Sequence, residues 1–230
     1  MTSTINKNEL FPVFVKMSEL NSLIVGGGNV ALEKLRAILS NSPGAKIRII
    51  APLIKNEILE LINKFPDCTF EQRPFEPHDL EGKDLIFLTT DDPDLHQAIK
   101  AMAAEKNILV NTADKPDLCD FYLSSIVQKG QLKIAISTNG MSPTMAKRIK
   151  EMLNAVIPDD INQSLDNLNQ IRSTLKGDFN QKIKILNQLT SPMNETDTKL
   201  KKRNSLFKTI ILISISLVIG LLMGILYSRI

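Results

Sequence analysis

The chain has 230 residues, 43% of them hydrophobic, with 28 Lys and Arg against 25 Asp and Glu for a net charge of +3. That is enough apolar material for one folded body with appendages, and too little charge to imply nucleic-acid binding. Cys68 and Cys119 stand far apart without C-x-x-C spacing and no cleavable signal opens the chain, so a reducing cytoplasm is expected, with both thiols as buried small hydrophobes.

In chain order, Ser22 to Val25 is a short apolar run ending in Gly26-Gly27-Gly28. Val30, Leu32, Leu35, Ile38 and Leu39 follow at helical spacing, and Lys46 to Ile50 reads as the next strand. The pattern predicts a further helix around Ile54 to Phe65 and strands around Cys68 to Gln72 and Asp84 to Thr90. It continues with a helix over Asp94 to Lys106 and a strand over Ile108 to Asn111. Strands alternating with helices imply an α/β, Rossmann-like domain over 1–113, its parallel sheet covered on both faces.

After Asp114 the grammar changes. Phe121 to Gln128 and Gln131 to Thr138 read as two strands joined around Lys129-Gly130, with no helix between them. Ser142 then serves as N-cap and Pro143 as first residue of a helix whose apolar face is Met145, Ile149, Met152, Leu153 and Val156. Residues 114–150 are expected to form a dimerisation and substrate region. A small helical domain over 151–190 follows, with Gly177 separating a helix carrying Ile161, Leu165, Leu168, Ile171 and Leu175 from one carrying Phe179, Ile183, Leu186 and Leu189.

A polar, basic linker is expected over 191–205, holding Lys199, Lys201, Lys202 and Arg203. From Leu206 to Tyr227 the chain is apolar except for Lys208, Thr209 and two serines, which predicts a transmembrane helix over 206–228. The basic group before the span places the body on the cytoplasmic side of the cell membrane, single-pass.

Gly26, Gly28 and Ala31 fit G-x-G-x-x-A at a strand-to-helix junction. The first glycine allows the tight turn, the second lets the backbone approach a pyrophosphate, and the small third residue permits close helix packing. Where an acidic residue would hold the adenosine ribose, the sequence reads Ile50-Ala51-Pro52, which leaves NAD and NADP both open. Asp114, before Lys115-Pro116, reads by itself as a turn residue at the end of a strand. Ser137, Thr138, Asn139, Ser142, Lys147 and Arg148 gather hydroxyls and positive charge around a helix start, which fits an anionic ligand and equally fits a capped, solvated helix. His78 and His96 have no partner at metal-ligand spacing, so no metal site is expected.

Taken together, Val25-Gly26-Gly27-Gly28-Asn29-Val30-Ala31, Ala51-Pro52, Thr90-Asp91-Asp92, Asn111-Thr112-Ala113-Asp114-Lys115-Pro116 and Ala135-Ile136-Ser137-Thr138-Asn139-Gly140-Met141-Ser142-Pro143 resemble the ordered motifs of the precorrin-2 dehydrogenase and sirohydrochlorin ferrochelatase family, the first module of siroheme synthase. The resemblance covers about the first two thirds of the chain. It implies oxidation of precorrin-2, an anionic tetrapyrrole, to sirohydrochlorin with NAD, and in some members insertion of ferrous iron as a substrate. It also implies a homodimer. Asp114 matches the family's catalytic aspartate; Gly26, Gly28, Asn29, Val30, Ala31, Pro52 and Leu53 match cofactor-binding positions. Ser137, Thr138, Asn139, Ser142, Lys147 and Arg148 fall where the substrate's carboxylates would bind. The sequence departs from the family in reading Glu33-Lys34 after the loop, in having Asn139 where glycine is common, and in its apolar C-terminal stretch. No methyltransferase domain is recognisable, so precorrin-2 is expected from another protein. Two other readings remain: a membrane-attached, nucleotide-sensing Rossmann module without catalysis, and an NAD dehydrogenase of another family.

Overall fold

A computed structural model describes residues 8, 10–175 and 177–191. Five parallel strands form one sheet in the order β3-β2-β1-β4-β5: β1 (Asn21–Val25), β2 (Lys46–Ile50), β3 (Cys68–Glu71), β4 (Leu85–Leu88) and β5 (Leu109–Thr112). Chain order reverses at β1, which pairs with β2 on one side and β4 on the other. In an open α/β sheet the ligand crevice lies outside the carboxyl ends of the strands at such a switch point.

The helices cover both faces because each strand alternates its side chains between them. Ile24, Ile47, Ile49, Leu85 and Phe87 bury against α1 (Asn29–Asn41) and α2 (Asn56–Ile62), through Leu35, Leu39 and Ile58. Leu23, Val25, Ile86, Leu88 and Val110 face α3 (Pro93–Glu105), through Ile99 and Ala103. Leu35 is fully buried, so Leu35→Ala would cost about 2–5 kcal/mol. Asp92 caps α3 by accepting from the backbone N–H of Asp94 and Leu95, and Pro93 occupies the first helical position.

The predicted hairpin is β6 (Ser125–Lys129) and β7 (Leu132–Ile136), antiparallel and separate from the main sheet. It begins later than the apolar run suggests. Phe121 packs edge-on against Phe87, with ring centroids 5.5 Å apart, and its carbonyl accepts from Asn111 Nδ2 at 2.8 Å. Those residues are spent on closing the first domain rather than on a strand. Lys133 Nζ donates to the carbonyl of Asn41 at 2.6 Å, tying the hairpin to the far end of α1.

Helix α4 (Pro143–Val156) starts as expected, with Ser142 Oγ accepting from the Met145 N–H at 3.2 Å. It runs unbroken past residue 150, and Lys129 Nζ reaches both the Ile157 carbonyl and Asp159 at its end. The chain divides into two compact units between Asp159 and Asp160. The described part of the second unit is the pair α5 (Ile161–Thr174) and α6 (Phe179–Thr190), separated at Gly177, whose φ of +114° suits glycine. Among the described residues no helix is long and apolar enough to cross a membrane. The expected transmembrane helix over 206–228, and the linker beyond Ser191, lie outside the described residues.

Candidate functional site

The glycine loop is shaped by three different constraints. Gly26 has φ +123°, and a Cβ there would stand 2.4 Å from Thr89 Oγ1, whose hydroxyl donates to the Val25 carbonyl. Gly27 is pressed against the turn after β2: a Cβ would meet the Leu53 carbonyl oxygen at 2.2 Å and Ile54 Cα at 2.9 Å. Gly28 is the opposite case, with nothing within 4 Å of a built Cβ. The first two glycines are therefore required by the chain's own packing, and the third leaves its backbone open to a visitor. Ala31 is fully buried, which lets α1 approach the sheet closely.

Gly28 is the N-cap of α1, and the N–H groups of the first turn have no intrahelical acceptor. Open backbone, unpaired donors and the positive end of a helix fit the pyrophosphate of a dinucleotide. The turn after β2 completes this edge. Pro52 and Leu53 are exposed, and Leu53 is 84% accessible although its backbone is wedged against Gly27. Lys55, not singled out from the sequence, donates its backbone N–H to the Gly27 carbonyl at 3.0 Å and its ammonium to Asn29 Oδ1 at 2.7 Å.

Asp114 lies two residues beyond β5, at the same carboxyl edge of the sheet, exposed and with φ +56°. Few non-glycine residues adopt that conformation, although Asp tolerates it better than most. The turn is fixed from both sides. The Ala113 N–H donates to the Leu88 carbonyl at 3.0 Å, and Cys119 Sγ accepts from the Thr112 N–H at 3.2 Å. The same thiol lies 3.2 Å from the Thr112 carbonyl and 3.4 Å from that of Lys115, either of which can take its single proton. Cys119 is thus a half-buried turn clamp, not the buried apolar filler expected of it; Cys68 does fill that role, and both thiols are free. Burial lowers the pKa of Lys34 on α1, against the opposing pull of Cys119, Glu33 and Asp114.

His96, one turn into α3, is buried. Its Nε2 lies 2.8 Å from Thr90 Oγ1, its Nδ1 has no partner, and burial lowers its pKa. Among the described residues no group of three or more His, Cys, Asp or Glu stands together as a metal site would require.

The expected substrate residues form a second, separate group. Thr138 Oγ1 accepts from the Ser142 N–H and donates to the Ser142 carbonyl, both at 3.1 Å, and Ser137 Oγ accepts from the Asn139 N–H. Asn139 has φ +54°, which explains why glycine suits this position and why asparagine can replace it. Lys147 and Arg148 project from the next turn of α4 and, with Pro143, Thr144 and Glu151, line an open depression of about 350 Å³. Arg148 also pairs with Glu151 at 3.1 Å. Among the described residues the hydrogen bonds of this turn stay within residues 137–146, and none reaches the glycine loop or Asp114.

Comparison with known proteins agrees with this layout. The family described as "Putative NAD(P)-binding" matches residues 13–125, and the family described as "Sirohaem biosynthesis protein central" matches residues 129–155. A siroheme synthase of Nitrosomonas eutropha is 36% identical over 150 residues, 65% of this chain and 31% of that protein. One of Pseudoalteromonas atlantica is 35% identical over 168 residues, 73% of this chain and 36% of its own. The chain thus spans about a third of the length of these relatives. A solved structure of SirC, precorrin-2 dehydrogenase, superposes with a TM-score of 0.61 at 26% identity, over 78% of this chain and 89% of that one.

Proposed function

The chain belongs to the family of the siroheme synthase N-terminal module and SirC precorrin-2 dehydrogenase, and from that premise we propose that it oxidises precorrin-2 to sirohydrochlorin with NAD as hydride acceptor. The observation that carries the reading is a pairing at one sheet edge. The open glycine loop follows β1, and the exposed Asp114 carboxylate follows β5, with only β4 between the two strands. Strands two apart are about 10 Å from each other, a span that a dinucleotide and a macrocycle can share.

The oxidation removes two hydrogens from the macrocycle: one leaves with the bonding electron pair as hydride and the other as a proton, giving NADH and H⁺. NAD supplies the hydride acceptor when bound. Gly28, Asn29 and Val30 hold its pyrophosphate at the α1 N-terminus, Gly26 and Ala31 shape the turn and the close helix packing that present them, and Pro52 and the exposed side chain of Leu53 offer an apolar surface to the adenosine end. Asp114 takes the departing proton, and the fixed left-handed turn aims its carboxylate. Where ferrous iron is also inserted, the same carboxylate takes a pyrrole proton.

The substrate carries several carboxylates, and we assign their binding to Ser137, Thr138, Asn139, Ser142, Lys147 and Arg148. The hydroxyls of Thr138 and Ser142 are already engaged in shaping the turn, so Lys147 and Arg148 carry most of the attraction. The homodimer is proposed through the hairpin and α4, because Met145, Met152 and Val156 form one exposed apolar stripe at helical spacing. Residues 206–228 are proposed as a membrane anchor with the body on the cytoplasmic side.

The deciding experiment incubates the purified protein anaerobically with precorrin-2 and NAD, following both the macrocycle spectrum and NADH. Wild type should produce one NADH per sirohydrochlorin. Asp114→Asn keeps the shape but loses the proton acceptor, so turnover should fall at least 100-fold, in line with general-base contributions of about 10²–10⁴, with NADH affinity nearly unchanged. Near-normal turnover in Asp114→Asn would remove its catalytic role, and no turnover by wild type would remove the whole reading.

A further inference from the structure

We infer that Lys55 is a cofactor-binding residue of this chain, a cation that grips the dinucleotide pyrophosphate beside the α1 N-terminus. The inference rests on the reading that the glycine loop takes NAD(P). Lys55 arrives there by packing. Gly27 lies so close to the backbone of Leu53 and Ile54 that no side chain fits between them, and the Lys55 N–H closes the contact on the Gly27 carbonyl at 3.0 Å. The turn after β2 and the glycine loop are thus one welded unit. Its side chain then folds back over the loop, and Nζ comes to rest 2.7 Å from Oδ1 of Asn29, the first residue of α1.

That position places a half-exposed ammonium next to the open space at Gly28 and the donors of the first helical turn. A pyrophosphate brings two negative charges; the helix end offers roughly half a positive charge and Lys55 a full one. Asn29 Oδ1, its present partner, is a neutral amide oxygen. Exchanging it for a phosphate oxygen turns a neutral acceptor into an ionised one, so that the ammonium gains a partner of opposite charge. Glu57, 3.5 Å away, is the competing charge on the same ammonium. Arg48 in the middle of β2 and Arg73 just beyond β3 are engaged by Glu71 and Asp79. The pyrophosphate is common to NAD and NADP, so Lys55 should support both alike.

The test is a titration of the full chain with NADH and with NADPH, read by ligand fluorescence, beside a thermal melt. Lys55→Met should weaken both about tenfold at low salt, with a smaller loss at high salt and an unchanged melting temperature, while Lys55→Arg should recover most of the affinity. Glu57→Gln should bind as tightly as wild type or tighter. Unchanged affinity in Lys55→Met overturns the assignment, and so does a loss confined to NADPH, which would move Lys55 to the ribose 2′-phosphate. Gly28→Val separates this inference from its premise. If Gly28→Val loses NADH and Lys55→Met does not, only the role of Lys55 falls; if neither loses it, the loop is not the cofactor site and both fall.

Discussion

Adjacent glycines in the loop after β1 should fail in opposite ways when given a side chain. At Gly27 the first added carbon would sit 2.2 Å from a backbone oxygen and 2.9 Å from a backbone carbon. Ordinary contact needs more than 3.4 Å, so Gly27→Ala forces the two loops apart by more than an ångström. Overpacking of that kind costs about 3 kcal/mol, which in a domain of this size lowers Tm by roughly 10 °C. At Gly28 the same carbon meets nothing within 4 Å, and φ −90°, ψ −159° is extended backbone open to any residue. Gly28→Val should therefore change stability by less than about 0.5 kcal/mol. Its cost falls on the cofactor: losing two charge-assisted hydrogen bonds at about 1.5 kcal/mol each weakens NADH roughly 100-fold. Thermal melts followed by circular dichroism, with NADH titrations on the same samples, check both halves. A Gly28→Val protein that binds NADH normally, or a Gly27→Ala protein that melts with wild type, would refute the division of labour.

A buried ion pair predicts the acid behaviour. Burial alone would raise the pKa of Asp79, but the Arg73 guanidinium and the Glu76 N–H outweigh it and hold it below the usual carboxylate range. With the folded value depressed, its contribution is complete above about pH 4 and fades as pH falls through the folded pKa. Urea titrations should thus find Asp79→Asn roughly 3 kcal/mol less stable near neutrality, the gap closing only below about pH 4; a constant gap down to pH 2 would contradict this. Truncation after Met193 should give a protein that stays in the supernatant, binds NADH and oxidises precorrin-2 at near the full-length rate, while the full chain pellets with membranes and resists extraction by salt. A full-length chain released by salt alone would overturn the anchor.

What the sequence made legible is what local rules determine. The switch from strand to helix around Gly26-Gly27-Gly28 is a change of hydrophobic period at a glycine turn, and β2 spans Lys46 to Ile50 as the sequence predicts. Ser142-Pro143 is a capping signal that needs no tertiary partner, and the helix starts there. What stayed hidden depends on residues distant in the chain. Lys55 is 26 residues from Asn29, and nothing in the spacing joins them until Gly27 docks on Leu53. Phe121 looks like the start of a strand because an apolar residue carries no mark of whether it will pair or plug. His96 sits at a helical position one turn from the cap, and its contact with Thr90 appears only once α3 folds back on the sheet. The division between Asp159 and Asp160 falls at the turn signal Pro158-Asp159-Asp160, but the contact of Asp159 with Lys129, 30 residues earlier, is not visible in the spacing.

Cys119 shows how such a hidden contact bears on the chemistry. Asp114 is held at φ +56°, a conformation that costs a non-glycine residue roughly 1 kcal/mol or more. The strain persists because the Thr112 N–H ends on Cys119 Sγ and the thiol proton ends on a carbonyl of the same turn. Cys119→Ala removes these contacts together with the longer one from Asn111 Nδ2 at 3.7 Å, and leaves the Thr112 N–H without its acceptor. Each bond to sulfur is weak, so the loss should be about 1–2 kcal/mol, too little to unfold the domain and enough to let Asp114 relax toward an ordinary turn. The variant should then bind NADH as wild type does, since the glycine loop is untouched, while kcat for precorrin-2 falls about tenfold with little change in KM. Cys119→Ser keeps a donor and an acceptor on a shorter bond and should recover part of the rate. A kcat in Cys119→Ala equal to that of wild type would mean that the aim of the Asp114 carboxylate does not limit the reaction, and the turn would then be a matter of folding alone.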